Sequence, residues 1–398
     1  MSGADPRAAL RQQLLEALSA LPEAPCGALL HYPSHSNVGD HLIWLGEVQV
    51  LDRLGRLPVA YASDQGSFSG REMGRRIGSG PVLMHGGGYL GDLWQRPLTF
   101  IERIVAEFRE RPVVLLPQTI HYRSESRLQR TAAIFAAHPR LTVFVRDHRS
   151  LELARRHFPR CQLVLSPDMA VALERGELQL PPPPPQPQPT PPAARRPWLA
   201  LARCDLERGS RSWLTKLAPM ADRIDQQDWL PLERRWIWGD DRLPGSRIVA
   251  AGVREGLQRR LRSREEWQQW RRWQRGPAAA WLEGVASSGC PHHTRLTRRS
   301  LGMLFEGHRQ LAGRSLVLTD RLHGQILASL AGIPSLLFDN SYPKNQGFMQ
   351  AWGANLPLSR YVEPGAVESG DVVELALRTA AAGQPTGPCR PDGAADQR

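Results

Sequence analysis

Apolar residues along this chain gather in short runs, each ending in a polar or glycine-rich loop and most followed by a stretch with helical spacing. Ala28–Tyr32, Pro81–His85, Val113–Ile120, Leu141–Val145, Leu163–Leu165, Leu316–Leu318 and Ser335–Phe338 are such runs. They are long enough for buried strands and too short for a helix core. Between them the period changes. Leu10, Leu14, Leu15, Leu18 and Leu21 lie on one helical face, and Pro22 to Pro25 ends that leading helix. A second helix is predicted from about His41 to Leu54, a third from Ser150 to His157, and a fourth carries Leu322, Ile326, Leu327 and Leu330. Thr319-Asp320 reads as its cap, and Gly332-Ile333-Pro334 stops it. Strand and helix alternating in this way predict parallel sheets, here two doubly wound Rossmann-like α/β domains facing a cleft.

Length agrees with two domains, because 398 residues exceed the size at which one hydrophobic core stops growing. Residues 181–197 are mostly proline, which has no N–H to donate to a helix or central strand. They predict an extended polyproline linker between an N-terminal domain, 1–180, and a C-terminal domain, 198–380. Residues 381–398 are rich in Gly, Pro and charge and predict a flexible tail. The five cysteines, Cys26, Cys161, Cys204, Cys290 and Cys389, show no CxxC spacing and suggest neither a disulfide framework nor a zinc site. No apolar stretch approaches the ~18 residues of a membrane span, and Asp5 near the start does not suit a signal segment. A cytoplasmic protein is expected, with peripheral contact at the inner membrane face left open.

Charge adds more. The net charge of +12 admits nucleic acid, anionic membrane or phosphorylated partners. Nearly all of it is arginine, since only Lys216 and Lys344 are lysines among 51 Lys plus Arg, so Lys344 marks a place where a compact ammonium is required. It ends the polar loop Asp339-Asn340-Ser341-Tyr342-Pro343-Lys344, at the carboxyl edge where open α/β sheets bind ligands. Arg321 and His323 stand at a helix N-terminus, where unpaired N–H groups and the helix dipole favour an anion. Arg146 lies just past a strand end; as a structural group it would pair with Asp147 or Asp168. Gly86-Gly87-Gly88 lets backbone approach a ligand closely, and its pattern is not that of a dinucleotide site. Asn37-x-Gly39-Asp40 is either a site loop or an ordinary strand-to-helix turn with a capping Asp.

Taken in order, Asn37-x-Gly39-Asp40, Gly86-Gly87-Gly88 with Gly91-Asp92 and Trp94, Gln118, Arg146-Asp147, Pro167-Asp168 and the run TDRLHG…GIP…DNSYPK resemble the signatures of the polysaccharide pyruvyl transferase family. The matches span about Ala28 to Trp352, and the proline-rich insert departs from the pattern. The resemblance implies a glycosyltransferase-B-like arrangement. It also implies a transferase in exopolysaccharide biosynthesis that moves the pyruvyl group of phosphoenolpyruvate onto a sugar as a cyclic pyruvate ketal and releases phosphate. On that chemistry Arg146, Arg321, Leu322 and Lys344 bind the donor, His323 is the general acid and Asp40 the base, with Asp168 next in line. Asn37, Gly39, Gly86, Gly87, Gly88, Gln118, Asp168 and Asn340 are further site candidates. No cofactor or metal is expected, because fixed cations carry the charge work. The partners are phosphoenolpyruvate and a saccharide acceptor, lipid-linked or free; nucleic acid is not expected.

Two other readings stand beside it. One is a nucleotide-sugar-dependent glycosyltransferase of the same fold, for which no nucleobase pocket or ribose-binding carboxylate is identifiable. The other is a membrane-surface or nucleic-acid binding protein that uses segment 260–281, where Trp267, Trp270, Trp273 and Trp281 interleave with Arg260, Arg262, Arg264, Arg271, Arg272 and Arg275. The same segment also reads as a helix whose tryptophans pack inward.

Overall fold

The computed structural model describes residues 7–180, 198–210, 212–229, 264–286 and 289–382. The expected linker 181–197 and the tail from residue 383 onward lie outside these residues. Twelve strands form two sheets, and every ladder is parallel. In the first sheet are β1 (Gly27–Leu30), β2 (Val59–Ser63), β3 (Val82–Met84), β4 (Gly87–Gly91), β5 (Val113–His121), β6 (Leu141–Val145) and β7 (Gln162–Leu165). Their order is β2-β1-β3-β5-β6-β7, with β4 paired to β5. In the second are β8 (Trp198–Leu201), β9 (Ile224–Gln227), β10 (Leu316–Thr319), β11 (Ser335–Leu337) and β12 (Ser359–Tyr361), in the order β12-β11-β10-β8-β9.

This order fixes where ligands belong. In the first sheet the chain steps from β1 to β2 on one side and then returns to build outward on the other, so the direction reverses between β1 and β3. In the second sheet it reverses between β8 and β10. At such a switch point the loops at the carboxyl ends of neighbouring strands part and leave a crevice. Four segments therefore frame the two crevices: the residues after β1, after β3, after β8 and after β10.

Local chemistry explains most element boundaries. The helix expected from His41 begins earlier, at Val38, because Asn37 and not Asp40 is the cap: Asn37 Oδ1 accepts from Gly39 N at 3.2 Å. Asp147 caps the helix His148–His157 by accepting from Ser150 N at 2.7 Å, so that helix also starts before the expected Ser150. The cap expected at Thr319-Asp320 is spent one residue early, since Thr319 Oγ1 accepts from Arg321 N at 3.0 Å and Arg321 occupies the capping position. The triple glycine runs into a strand rather than staying a loop, and Gly87 at φ +129° occupies backbone space that favours glycine.

Helices that follow the proline-rich segment in sequence pack against the first sheet. The helix Pro291–Leu311 lies along Val38–Val48 and β2. At Gly307 a Cβ would fall 2.6 Å from Val38 Cγ1, so glycine permits the approach. Trp44 Nε1 donates to Thr297 Oγ1 at 3.2 Å, His293 Nε2 meets Asp52 Oδ2 at 2.8 Å, and Ser300 Oγ lies 2.9 Å from His41 Nδ1. One apolar cluster joins Leu29, Val114 and Phe144 of the first sheet to Leu199, Leu201 and Val317 of the second. In the helix Arg264–Arg275 and its neighbour Pro277–Ala286, Trp267, Trp270, Trp273 and Trp281 are all buried. Trp270 and Trp273 pack on Phe305, and Trp273 Nε1 donates to Leu178 O at 2.9 Å. The tryptophans are core, which corrects the reading of this segment as a stacking or membrane-facing surface; Arg260 and Arg262 lie outside the described residues.

Candidate active site

The four switch-point segments converge. After β1 come Asn37, Gly39 and Asp40, the last in the first turn of the helix Val38–Val48. Asn37 Nδ2 donates to Asp40 Oδ2 at 2.7 Å, and His35 Nε2 stands 3.5 Å from the same oxygen. Burial works to raise the Asp40 carboxyl, but the imidazoles of His35, His323 and His85 and a hydrogen bond from Tyr89 outweigh it and hold it below its ordinary value. Asp40 is therefore ionised at neutral pH and able to accept a proton.

From the second sheet, His323 and Arg321 sit at the start of the helix Leu322–Ala331 and face this turn. His323 packs on Gly39, where a Cβ would come 2.6 Å from His323 Nδ1. Its Nε2 lies 3.3 Å from Asp168 Oδ2, and the same carboxylate oxygen pairs with Arg146 Nη1. Arg146 Nε also donates to Thr119 Oγ1 at 2.8 Å, which fixes the guanidinium plane. Of the two partners open to Arg146 in the sequence, Asp168 is the one it takes. Burial tends to raise the Asp168 carboxyl, yet His323 and Arg146 hold it far below the usual carboxylate range.

Arg321 is buried and donates through Nε to Asp228 Oδ1 at 2.6 Å. Its Nη2 reaches Asp205 Oδ2 at 3.4 Å and its Nη1 reaches Asn37 Oδ1 at 3.5 Å. The guanidinium carbon lies 5.5 Å from the centre of the Trp229 ring. Arg321 thus bridges the two sheets through Asn37.

Glu207, buried in the loop after β8, gathers the remaining donors. It accepts from Lys344 Nζ, from Trp94 Nε1 at 3.1 Å and from Asn340 Nδ2 at 3.4 Å, and it pairs with Arg203 Nη2 at 2.9 Å. Burial pulls the Lys344 ammonium down to about 8, with Glu207 pulling the other way. Glu207 itself is kept strongly anionic by Arg203 and Lys344 despite its burial. Gly88 lies at the meeting point. A Cβ on it would stand 3.6 Å from Tyr342 Oη, 3.7 Å from Glu207 Oε1 and 3.8 Å from Arg146 Nη2. The ring of Tyr342 stacks on His121 at 4.1 Å between centroids, a second link between the sheets.

Not every sequence candidate faces this centre. Gln118 is fully buried, with Nε2 donating to His85 O at 2.8 Å and Oε1 accepting from Tyr89 N at 3.3 Å, so it holds the glycine turn from behind. Gly86 and Gly87 pack on Ile43 and, for Gly86, on Glu47. The Leu322 side chain belongs to the apolar core. Arg203, Asp205, Glu207 and Asp228 were not among the candidates, although the apolar run Trp198–Leu201 followed by Ala202-Arg203-Cys204-Asp205-Leu206-Glu207 carries the same strand-end signal. Each of Arg146, Arg321 and Lys344 is engaged by a carboxylate, which orients it and offsets its charge. Among the described residues no group of His, Cys, Asp and Glu has the arrangement of a metal site, and no helix is long and apolar enough to cross a membrane.

A sequence model of the family described as polysaccharide pyruvyl transferase matches residues 37–237, just over half of the chain. The protein of Bacillus subtilis named "Putative pyruvyl transferase EpsO" is 26% identical over 355 residues, which cover 89% of this chain and 94% of that protein. The protein of Schizosaccharomyces pombe named "Pyruvyl transferase 1" is 25% identical over 320 residues, 79% of this chain and 66% of that one. A crystal structure of an uncharacterized Klebsiella pneumoniae protein aligns with a TM-score of 0.48 at 16% identity, covering 90% of this chain and 99% of that one.

Proposed function

This chain belongs to the polysaccharide pyruvyl transferase family, and from that premise we propose that it transfers the pyruvyl group of phosphoenolpyruvate to a saccharide as a cyclic ketal, with release of phosphate. The supporting observation is the meeting of His323 and Arg321 of the second sheet with Asp40, Arg146 and Asp168 of the first. In this reading His323 delivers a proton to the methylene carbon of the donor, turning CH2 into CH3 and leaving C2 electrophilic. One hydroxyl of the sugar attacks C2 and passes its proton to Asp40. Phosphate then leaves with the electron pair of the C2–O bond, a second hydroxyl closes the ketal, and its proton departs with the phosphate. One proton of the diol ends on carbon and one on phosphate, so the step balances.

Asp40 suits the base role better than Asp168, whose oxygens already serve Arg146, His323 and the N–H of Ala170 at 2.9 Å. The planar guanidiniums of Arg146 and Arg321 and the compact ammonium of Lys344 would receive the donor's carboxylate and phosphate, beside the space left by Gly88. Two units closing on one another, the glycosyltransferase-B-like arrangement, belong to the same proposal. The test is phosphate release from phosphoenolpyruvate that depends on a saccharide acceptor, with a new ketal methyl signal in the product by carbon NMR. Release of phosphate with no ketal methyl, or turnover of a nucleotide sugar instead, would sink it.

A further inference from the structure

We propose that Glu47 is a positioning residue: one buried carboxylate fixes His85 and the glycine turn, and so keeps the space at Gly88 beside Arg146, Glu207 and Tyr342. This rests on the pyruvyl-transfer reading of that space. Glu47 is wholly buried on the helix Val38–Val48, seven residues after Asp40 and hence on the same helical face. Its two oxygens do different work. Oε1 accepts the Gly86 N–H at 2.8 Å, and Oε2 meets His85 Nδ1 at 2.8 Å. Gln118 of β5 holds the far side of the turn through His85 O and Tyr89 N. Gly86, Gly87 and Gly88 are thus clamped between a helix and a strand, and the helix that clamps them also carries Asp40.

A fully buried carboxylate carries a desolvation cost that an apolar side chain would not, and packing alone would be served by leucine. What leucine lacks is the pair of acceptors that ties the turn to the helix. The groups facing His85 are Glu47 and Asp40 from the helix, Asp168 from the loop after β7, His31 from the segment after β1, and Tyr89 of its own turn. Burial opposes protonation of His85, but Glu47, with Asp40 and Asp168, lifts its pKa above the ordinary value. The charged form therefore persists above pH ~6.5 and is lost as pH rises through the lifted value.

The experiment compares Glu47→Ala and Glu47→Gln with the parent by phosphoenolpyruvate-dependent kcat and KM per folded molecule across pH, and by amide hydrogen exchange over residues 85–91. Glu47→Ala is expected to speed exchange at Gly86 to Gly88 and to lower kcat about 10²-fold, the effect of an ångström-scale misplacement, with a much smaller change in donor KM. Glu47→Gln keeps an oxygen for Gly86 N–H and should regain most of kcat, while the alkaline decline set by His85 shifts, because a neutral amide cannot hold the imidazolium. If Glu47→Ala does not fold, the pH profile of Glu47→Gln decides alone. Unchanged exchange, or a lower melting temperature with parental kcat and pH profile, would overturn the proposal. Faster exchange in a protein whose parent turns over no phosphoenolpyruvate would leave the turn-holding role standing and refute the donor.

Discussion

Two buried polar regions join the sheets, and they are built on opposite principles. Along the seam between Pro291–Leu311 and Val38–Val48, the groups are mostly neutral: Trp44 to Thr297 at 3.2 Å, and Ser300 beside His41 and Tyr32 at 2.9 and 3.2 Å. Burial drives the His41 pKa down to about 3 and so keeps its ring uncharged. At the switch-point centre the groups are ionised: Arg146 with Asp168, Arg321 with Asp228, Lys344 with Glu207. A neutral buried hydrogen bond contributes a modest net stabilisation. A buried ion pair barely repays its desolvation, and an apolar pair of the same size is often as stable. The seam therefore reads as a joint, and the centre as a place where stability is given up to hold charge in position.

The sharpest way to break that contrast is His323→Ala. It should lower kcat about 10²–10⁴-fold while calorimetric donor affinity stays within a few-fold, because the cations remain. Parental phosphate release in this variant would remove His323 from the chemistry and the centre from catalysis.

Next in size is Arg146→Met, which leaves Asp168 buried without its guanidinium and should cost about 3–5 kcal/mol in denaturant unfolding. Adding Asp168→Asn should restore much of that stability without restoring turnover. A double variant as unstable as the single would show that the pair is simply a stabilising contact, like those of the seam.

Lys344→Arg tests whether a compact cation is needed. The guanidinium is larger, planar and confined against Glu207 and the Tyr342 ring, 5.4 Å from Lys344 Nζ, so donor affinity should fall by about 1–3 kcal/mol. In the parent, donor binding should weaken as pH rises through about 8, where Lys344 loses its proton. Lys216→Arg, whose Nζ contacts only Glu368 O at 3.2 Å among its described bonds, is the control. Equal affinity in all three proteins would make the ammonium incidental.

The smallest expected effect comes from the seam. Thr297→Val removes the acceptor of Trp44 Nε1–H and should cost about 1 kcal/mol in unfolding, with kcat and the pH profile unchanged. A fall in kcat larger than the loss of folded protein would mean that the joint also positions the centre.

The alternation of short apolar runs and helical spacing was enough, without a structure, to identify the parallel α/β class, nearly every described strand of the first sheet, and β10 and β11. Strands and helices of this kind are set by local period and by residues a few positions apart, such as Asn37 or Asp147 at a cap. The same locality exposed Asp40, Gly88, Arg146, Arg321, His323 and Lys344 as strand-end groups. What pairs with them was decided only in three dimensions. Arg146 and Asp168 are separated by 22 residues, His323 and Asp168 by 155, and Lys344 and Glu207 by 137, and no local rule selects such partners. Segment 264–286 shows the same limit from the other side: its tryptophans suit a surface or a core equally by spacing, and only Phe305, brought in from another helix, makes them core. Period and turn chemistry act between neighbours along the chain, whereas the desolvation and pairing of charge depend on distances that exist only once both sheets have folded.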